Sequence, residues 1–374
     1  MVTGRERGMA TAISQEAKKL GVSRGMPIFL IKKQFPEVLV VDSNYRSYSE
    51  FASRMFEIVR RFTPLVEEYS IDECFADLTN VLNPEKMAQE IKQTLKRELG
   101  LTFSIGLAST KVIAKIASKW NKPDGFTVIR HSDIRTFLKD LQIGKVWGIG
   151  PATSMHLRKH GIQTALNLID RPKQWVEANL SKPELERWKE LQGEQVYKVH
   201  AELGEKQVSI QRTRSLSKTA NKEIIFSELS NNIENACANA RADKLKSRKI
   251  YIFLKTQTFR YKRAEVRLTS PTNSPTTVLN AIRASFDSIY DLGVEYRATG
   301  VTLSELSSTE STQNDLFGEV LKNQKKDILF ETIDKLERRY GKNTIQLGSS
   351  LKSSRMRKTK PNKPLWILSL GEVV

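Results

Sequence analysis

Two adjacent carboxylates, Asp72 and Glu73, stand inside apolar text, with Val66, Tyr69 and Ile71 before them and Cys74, Phe75 and Leu78 after. Taking two like charges out of water is costly unless a cation compensates them. On a straight strand neighbouring side chains point to opposite faces, so both reach one ion only where the backbone turns. Glu67 to Thr79 reads as two short strands around a tight turn, which supplies that bend. Mg²⁺ suits such a site, because it takes a few carboxylates and completes its shell with water and substrate phosphate oxygens.

Positive charge accompanies the acidic pair. The chain carries 61 Lys and Arg against 42 Asp and Glu, a formal net charge of +19 that draws polyanions, of which nucleic acid is the commonest in a cytosol. Lys111, Lys115 and Lys119 recur at i, i+4 and i+8, opposite the apolar Val112, Ile113 and Ile116, with Lys122 just beyond. A stripe like this is either a solvated face or a phosphate-facing one, and the neighbouring Lys122 favours the second.

Val146 to Pro151 carries Gly148 and Gly150, and Leu157 and Gly161-Ile162 follow, a pattern that reads as a helix-hairpin-helix. The glycines let backbone N–H groups approach a phosphate, and the next helix points its positive end the same way. Pro151 at the first helical position and the basic pair Arg158-Lys159 strengthen the reading. His156 and His160 share a helical face but lack a third ligand, so they are not read as a metal site. Cys74 and Cys237 read as buried small hydrophobes of a reducing cytosol. No run reaches the roughly 18 apolar residues of a membrane span, and the N-terminus shows no signal-peptide core.

The elements that must position these groups are mixed. A short strand at 38–41 precedes a helix with Tyr48, Phe51, Met55, Ile58 and Phe62 at helical spacing, ended by Pro64. Asn83-Pro84 starts a helix with Met87, Ile91, Leu95 and Leu99 on one face, Leu101 to Leu107 alternates as a strand, and Ser109 is placed to cap the lysine helix. Residues 130–200 read as wholly helical. Residues 207–306 read strand, helix, strand, strand, helix, strand, a split βαβ module. A polar linker, an amphipathic helix with Ile328, Leu329, Ile333 and Leu336, and a basic run over 352–363 complete the chain. The class is α+β, with several domains.

The string Glu68-Tyr69-Ser70-Ile71-Asp72-Glu73 is similar to the S-I-D-E motif of Y-family (UmuC/DinB-like) translesion DNA polymerases, and the likeness runs through 10–25, through 106–125 and past Gly300. It implies a right-hand fold: fingers and palm over 1–128, a helical thumb with the helix-hairpin-helix over 129–205, a βαββαβ little finger over 206–306, and a linker, clamp-binding motif and basic tail over 307–374. It implies a DNA-directed DNA polymerase of translesion synthesis, serving DNA repair and SOS-type damage tolerance. Such an enzyme adds dNTPs to primer-template DNA, damaged DNA included. Asp72 and Glu73 then bind two Mg²⁺ ions, and Gln15, Lys18 and Lys122 reach the triphosphate. Phosphate contacts are expected from Lys111, Lys115, Lys119, Gly148 and Gly150, and from Arg212, Arg214, Lys255, Arg260, Lys262, Arg263 and Arg267 on an open sheet face. Gln313, Leu316 and Phe317 resemble a sliding-clamp pentapeptide. A monomer in the bacterial cytoplasm, associated with the nucleoid and with no membrane, completes the expectation.

Two departures are visible. Family members begin with a strand bearing another metal-binding Asp and an aromatic steric gate, and between Met1 and Leu20 no D-x-D occurs, Glu6 and Glu16 sitting in unlike contexts. This chain is therefore expected to lack that strand. The usual triphosphate-binding Tyr of the fingers is Gln15 here. The alternative is a catalytically impaired DNA- and clamp-binding protein. A two-metal nuclease explains the charges but not the fingers or little finger.

Overall fold

The computed structural model describes residues 2–3, 8–201, 207–309, 319–341 and 344–355. It divides into two units, Met1–Leu203 and Gly204–Leu370.

The N-terminal unit opens with a small sheet ordered β2-β1-β3, formed by β1 (Val2–Thr3), β2 (Ala12–Ile13) and β3 (Val40–Val41). The short helices α1 (Gln15–Lys19) and α2 (Ile28–Gln34) accompany it, around a core of Val2, Ala17, Ile28 and Ile31. Helix α3 (Tyr45–Arg60) buries Met55, Phe56, Ile58 and Val59 against α4 (Pro84–Leu99). The Asn83 side chain caps α4, Pro84 fills its first turn, and Gly100 closes it in the left-handed conformation.

These helices support two separate two-stranded sheets. β4 (Val66–Ser70) pairs antiparallel with β5 (Glu73–Ala76), and β6 (Ile105–Ala108) pairs parallel with β7 (Phe126–Ile129). The strand expected from Leu101 begins only at Ile105, so Leu101 and Phe103 lie outside it. Helix α5 (Lys111–Trp120) crosses between β6 and β7, and its cap is Thr110 rather than Ser109, because the Thr110 hydroxyl accepts from the Ile113 N–H.

Helices fill the rest of this unit, as the sequence predicts: α6 (Ile134–Lys139), α7 (Pro151–Lys159), α8 (Ala165–Ile169), α9 (Lys173–Asn179) and α10 (Lys182–Leu191). Their core, with Ile143, Leu157, Ile162, Leu168 and Leu191, is continuous with the apolar face of α5.

The C-terminal unit is built on a four-stranded sheet ordered β10-β9-β11-β8. The elements are β8 (Ser209–Thr219), α11 (Lys222–Ala242), β9 (Leu245–Thr256), β10 (Tyr261–Thr272), α12 (Pro275–Ile289) and β11 (Tyr296–Ser308). The expected order holds. Both helices cover one sheet face, where Ile250, Ile252, Leu254, Val301 and Leu303 are buried, and among the described residues of this unit the other face is open. A last long helix, α13 (Glu319–Tyr340), buries Phe330, whereas Ile328 and Leu329 are exposed. The apolar stripe expected from those two residues is thus corrected: packing against Arg241 selects the neighbouring Phe330.

Candidate active site and nucleic-acid interface

The acidic pair sits on a turn. Ser70 and Glu73 are register partners, so Ile71 and Asp72 form the bend between β4 and β5. Asp72 is exposed rather than buried; one of its oxygens accepts from the Ser70 hydroxyl at 2.6 Å. Among the described residues no cation pairs with it. Glu73 is partly buried and forms an ion pair with Lys115. Glu67, on the other strand, pairs with Lys111 and accepts from the His200 N–H at 2.8 Å.

These pairs correct the expected lysine stripe. Lys111 and Lys115 are only 8% exposed each. Their ammonium groups lie about as far from aromatic rings as cation–π contact requires, 5.1 Å for Lys111 over Phe75 and 5.0 Å for Lys115 over Tyr69. The side of α5 opposite its apolar stripe faces the β4-β5 carboxylates, not water. Lys119 does remain exposed. Desolvation first, then the neighbouring Lys115 charge, holds its ammonium below the ordinary lysine range. Gln15 and Lys18 lie one turn apart and exposed on α1, and Lys122 is exposed beyond α5. No hydrogen bond joins these three to Asp72 or Glu73 among the described residues.

Helix α5 is held at its start by a residue the sequence reading missed. Glu190 of α10 is fully buried, and its carboxylate accepts from the backbone N–H groups of Val112 at 3.2 Å, Val196 at 2.7 Å and Tyr197 at 2.8 Å. Its carbonyl also accepts from the Thr110 hydroxyl at 2.9 Å. An anion at a helix N-terminus meets the unpaired donors and the positive end of the dipole together.

The hairpin before α7 is tied to the carboxylate strands. The Trp147 indole donates to the Tyr69 hydroxyl at 3.0 Å, with ring centroids 5.2 Å apart and Phe75 at 5.5 Å from Trp147. Gly148 takes the left-handed conformation, φ +83°. Gly150 caps α7 with no side-chain hydrogen bond and with open space around it, so first-turn N–H groups are available to an anion.

On the C-terminal sheet, strand parity divides the basic residues. Arg212 and Arg214 share the core side with Ile210, and Arg214 reaches Glu228 of α11 at 3.4 Å. Lys262 is turned to the same side and pairs with Asp291. The expected placement of these three on the open face is therefore corrected. Lys255 and Arg263 do lie on the open face, Arg267 joins them beside Glu305, and Arg260 belongs to the β9-β10 turn. The pentapeptide with Gln313, Leu316 and Phe317 lies outside the described residues.

Comparison with known proteins now decides the family. The impB/mucB/samB family model matches residues 1–119, its C-terminal domain 205–316, and the family's HHH motif 131–162. Protein UmuC of Salmonella typhimurium is 31% identical over 368 residues, covering 92% of this chain and 86% of UmuC. The chain belongs to the Y-family of DNA polymerases. DNA polymerase IV of Desulfatibacillum aliphaticivorans is 28% identical over 356 residues, covering 91% and 87% of the two chains. Among solved structures, a Y-family DNA polymerase chimera of Dbh and Dpo4 superposes with a TM-score of 0.70 at 23% identity, over 82% of this chain and 91% of that one. An insertion ternary complex of Dbh DNA polymerase matches with a TM-score of 0.52 at 24% identity, over 81% and 90%.

In this Y-family fold the C-terminal sheet is the little finger and the 131–162 segment is the helix-hairpin-helix. The family implies a divalent metal. Asp72 fits one: it is a hard anionic oxygen donor, water-facing and without a cation. Glu73 also offers a carboxylate: one oxygen pairs with Lys115, and the side chain is partly exposed. Among the described residues no group of three or more His, Cys, Asp or Glu is arranged to hold a metal.

Glu67 carried no local signal, since only the fold sets Glu67 and Glu73 against Lys111 and Lys115. Nothing local marked Glu190. Desolvation pushes the thiol of partly buried Cys74 up to about 11 and that of buried Cys237 up to about 12. No helix among the described residues is long and apolar enough to cross a membrane.

Proposed function

We propose that the chain is a template-directed DNA polymerase of the translesion type, acting on primer-template DNA, damaged DNA included, with dNTPs as substrate. The observation that carries this reading is the turn bearing Asp72 and Glu73 directly beneath a lysine helix, within a chain matched along its length by Y-family members. Asp72 and Glu73 are the residues to hold the Mg²⁺ ion. When bound, that ion neutralises phosphate charge during nucleotidyl transfer. The chain's own part is positional. Lys115 holds Glu73 in place, and Lys119 and Lys122 offer charge to the triphosphate. Gln15 and Lys18 approach it from α1. The N-terminus of α7 and the open little-finger face hold DNA phosphates without reading sequence. The two-ion form of the chemistry needs one more carboxylate than the described residues bring to Asp72. A cytoplasmic setting, a monomeric state and clamp docking through Gln313, Leu316 and Phe317 belong to the same proposal.

A second reading is favoured by one observation, that both glutamates beside the turn are already neutralised by buried lysines. On that reading the protein binds DNA and the clamp but extends primers poorly. Primer extension with Mg²⁺ separates the two. Template-directed extension that disappears in Asp72→Ala, with DNA affinity retained, supports the polymerase. DNA binding without extension by the unaltered chain supports the second reading.

A further inference from the structure

We propose that the open face of the little-finger sheet carries a stacking site for unpaired DNA bases, beside the phosphate contacts already assigned to that sheet. The inference rests on the DNA-binding reading and adds a ligand class to it. Parity puts Lys249, Tyr251, Phe253 and Lys255 of β9 on the open face, and Tyr261 and Arg263 of β10 lie opposite Lys255 and Phe253. Cations and aromatic rings are therefore interleaved on this face, and beside Tyr251 the Glu265 carboxylate is paired with Lys249. Phe259, in the hairpin turn between them, is 60% exposed, Tyr261 47% and Tyr251 37%.

Three details argue that the rings are presented rather than merely left over. Phe259 holds a positive φ of +64°, a conformation unfavourable for a bulky residue, and the turn nonetheless projects its ring. Phe253 packs against Gly300 of β11, where a Cβ would come within 2.5 Å of the ring, so a larger residue there would displace it. Cations gather around the same rings. Lys255 lies 4.8 Å from the Phe259 centroid and 4.7 Å from that of Tyr261, Arg263 5.1 Å from Tyr261, and Arg297 4.0 Å from Phe259.

A DNA duplex keeps its base faces stacked on one another, so it offers a protein phosphates and groove edges but few free π-faces. A single strand offers both phosphates and free π-faces. A sheet face with cations interleaved among aromatics matches that second surface. Tyr251, Phe259 and Tyr261 are the residues to receive bases, while Lys255, Arg263 and Arg297 neutralise the adjoining phosphates.

The test measures binding of the full chain, by fluorescence anisotropy, to three labelled probes: oligo-dT, an abasic strand of equal length and charge, and a blunt duplex. Oligo-dT is expected to bind about tenfold more tightly than the abasic strand, as stacking of one or two bases provides. Phe259→Gly, which also relieves the turn, and Tyr261→Ser should each remove most of that advantage and change duplex affinity less than twofold. Phe259→Trp should restore it. Equal affinity of the unaltered chain for oligo-dT and the abasic strand overturns the stacking site while leaving the phosphate grip intact. Equal losses on all three probes in the variants overturn it too, since the rings would then serve only the sheet. Failure of the unaltered chain to bind any probe overturns the DNA-binding reading itself.

Discussion

Replacing Glu190 should loosen the helix that holds the site together. The side chain is fully buried, and its two oxygens satisfy three backbone donors, on Val112, Val196 and Tyr197. Glu190→Ala leaves three backbone N–H groups without that acceptor, the buried one of Val112 and the part-buried ones of Val196 and Tyr197. A buried polar group stripped of its partner costs about 1–3 kcal/mol, so the low end of the range already gives about 3 kcal/mol. That is a large part of the roughly 5–15 kcal/mol by which a domain is stable. For a unit of this size, with about 2–4 °C per kcal/mol, the melting temperature should fall by about 6–12 °C. Glu190→Gln retains one acceptor oxygen but turns an NH₂ toward donors, so it should lose about half as much. The loss should also reach the site, because Val112 follows Lys111 at the start of α5 and a frayed first turn releases Lys111 from Glu67. Calorimetry resolves the effect if the transition of the N-terminal unit moves and that of the C-terminal unit stays. Primer-extension and DNA-binding assays then follow the lysines. A Glu190→Gln protein that melts with the parent and retains its activity would refute the reasoning, since it would mean that the buried carboxylate carries no more than shape.

Two further outcomes are expected. Burial raises the Glu234 carboxyl above its ordinary 4.5, and one of its oxygens is buried without a hydrogen-bond partner among the described residues. The folded state therefore holds that proton more tightly than the unfolded chain does. Stability present below pH 4.5 is lost as pH rises through the folded value, so Glu234→Gln should raise the melting temperature at pH 7 and leave it unchanged near pH 4. A lower melting temperature at pH 7 would mean the charge is well paired. For the clamp, calorimetric titration should find binding weakened more than about tenfold by Leu316→Ala/Phe317→Ala, because each apolar side chain contributes about 1.5–3 kcal/mol when buried; equal binding would return both residues to the fold.

Much of the fold could be read from local pattern. The little-finger order follows from period-two alternation broken by two helices with clear starts at Asn221 and Pro275. The turn at Asp72 was legible for the same reason, because strand text on both sides left only a bend between. What failed was the direction in which charges point. A helical wheel assigns the face of α5 opposite Val112 and Ile113 to water, but the β4-β5 hairpin with its two glutamates covers that face, and no local signal reports a distant hairpin. Arg212 and Arg214 were misplaced by parity alone: counting in twos from the buried Ile210 turns both toward α11. Period two was equally the missed sign of the aromatic face, since Lys249, Tyr251, Phe253 and Lys255 are alternate residues of one strand. Glu190 was beyond reach, because an acid in a helix reads as solvated until its partners, as many as 78 positions earlier, are brought beside it.

The bond from the Trp147 indole to the Tyr69 hydroxyl has a consequence for inheritance. Two segments that lie far apart in the gene are matched to each other through one hydrogen bond and shared ring contacts with Phe75. A recombination event between relatives with its crossover anywhere between codons 69 and 147 would separate the partners. A tryptophan from one parent could then meet a residue with no hydroxyl from the other, leaving its N–H group without that acceptor. The helix-hairpin-helix is therefore not a freely exchangeable cassette in this lineage. Viable hybrids should either carry both residues from the same parent or exchange the pair together.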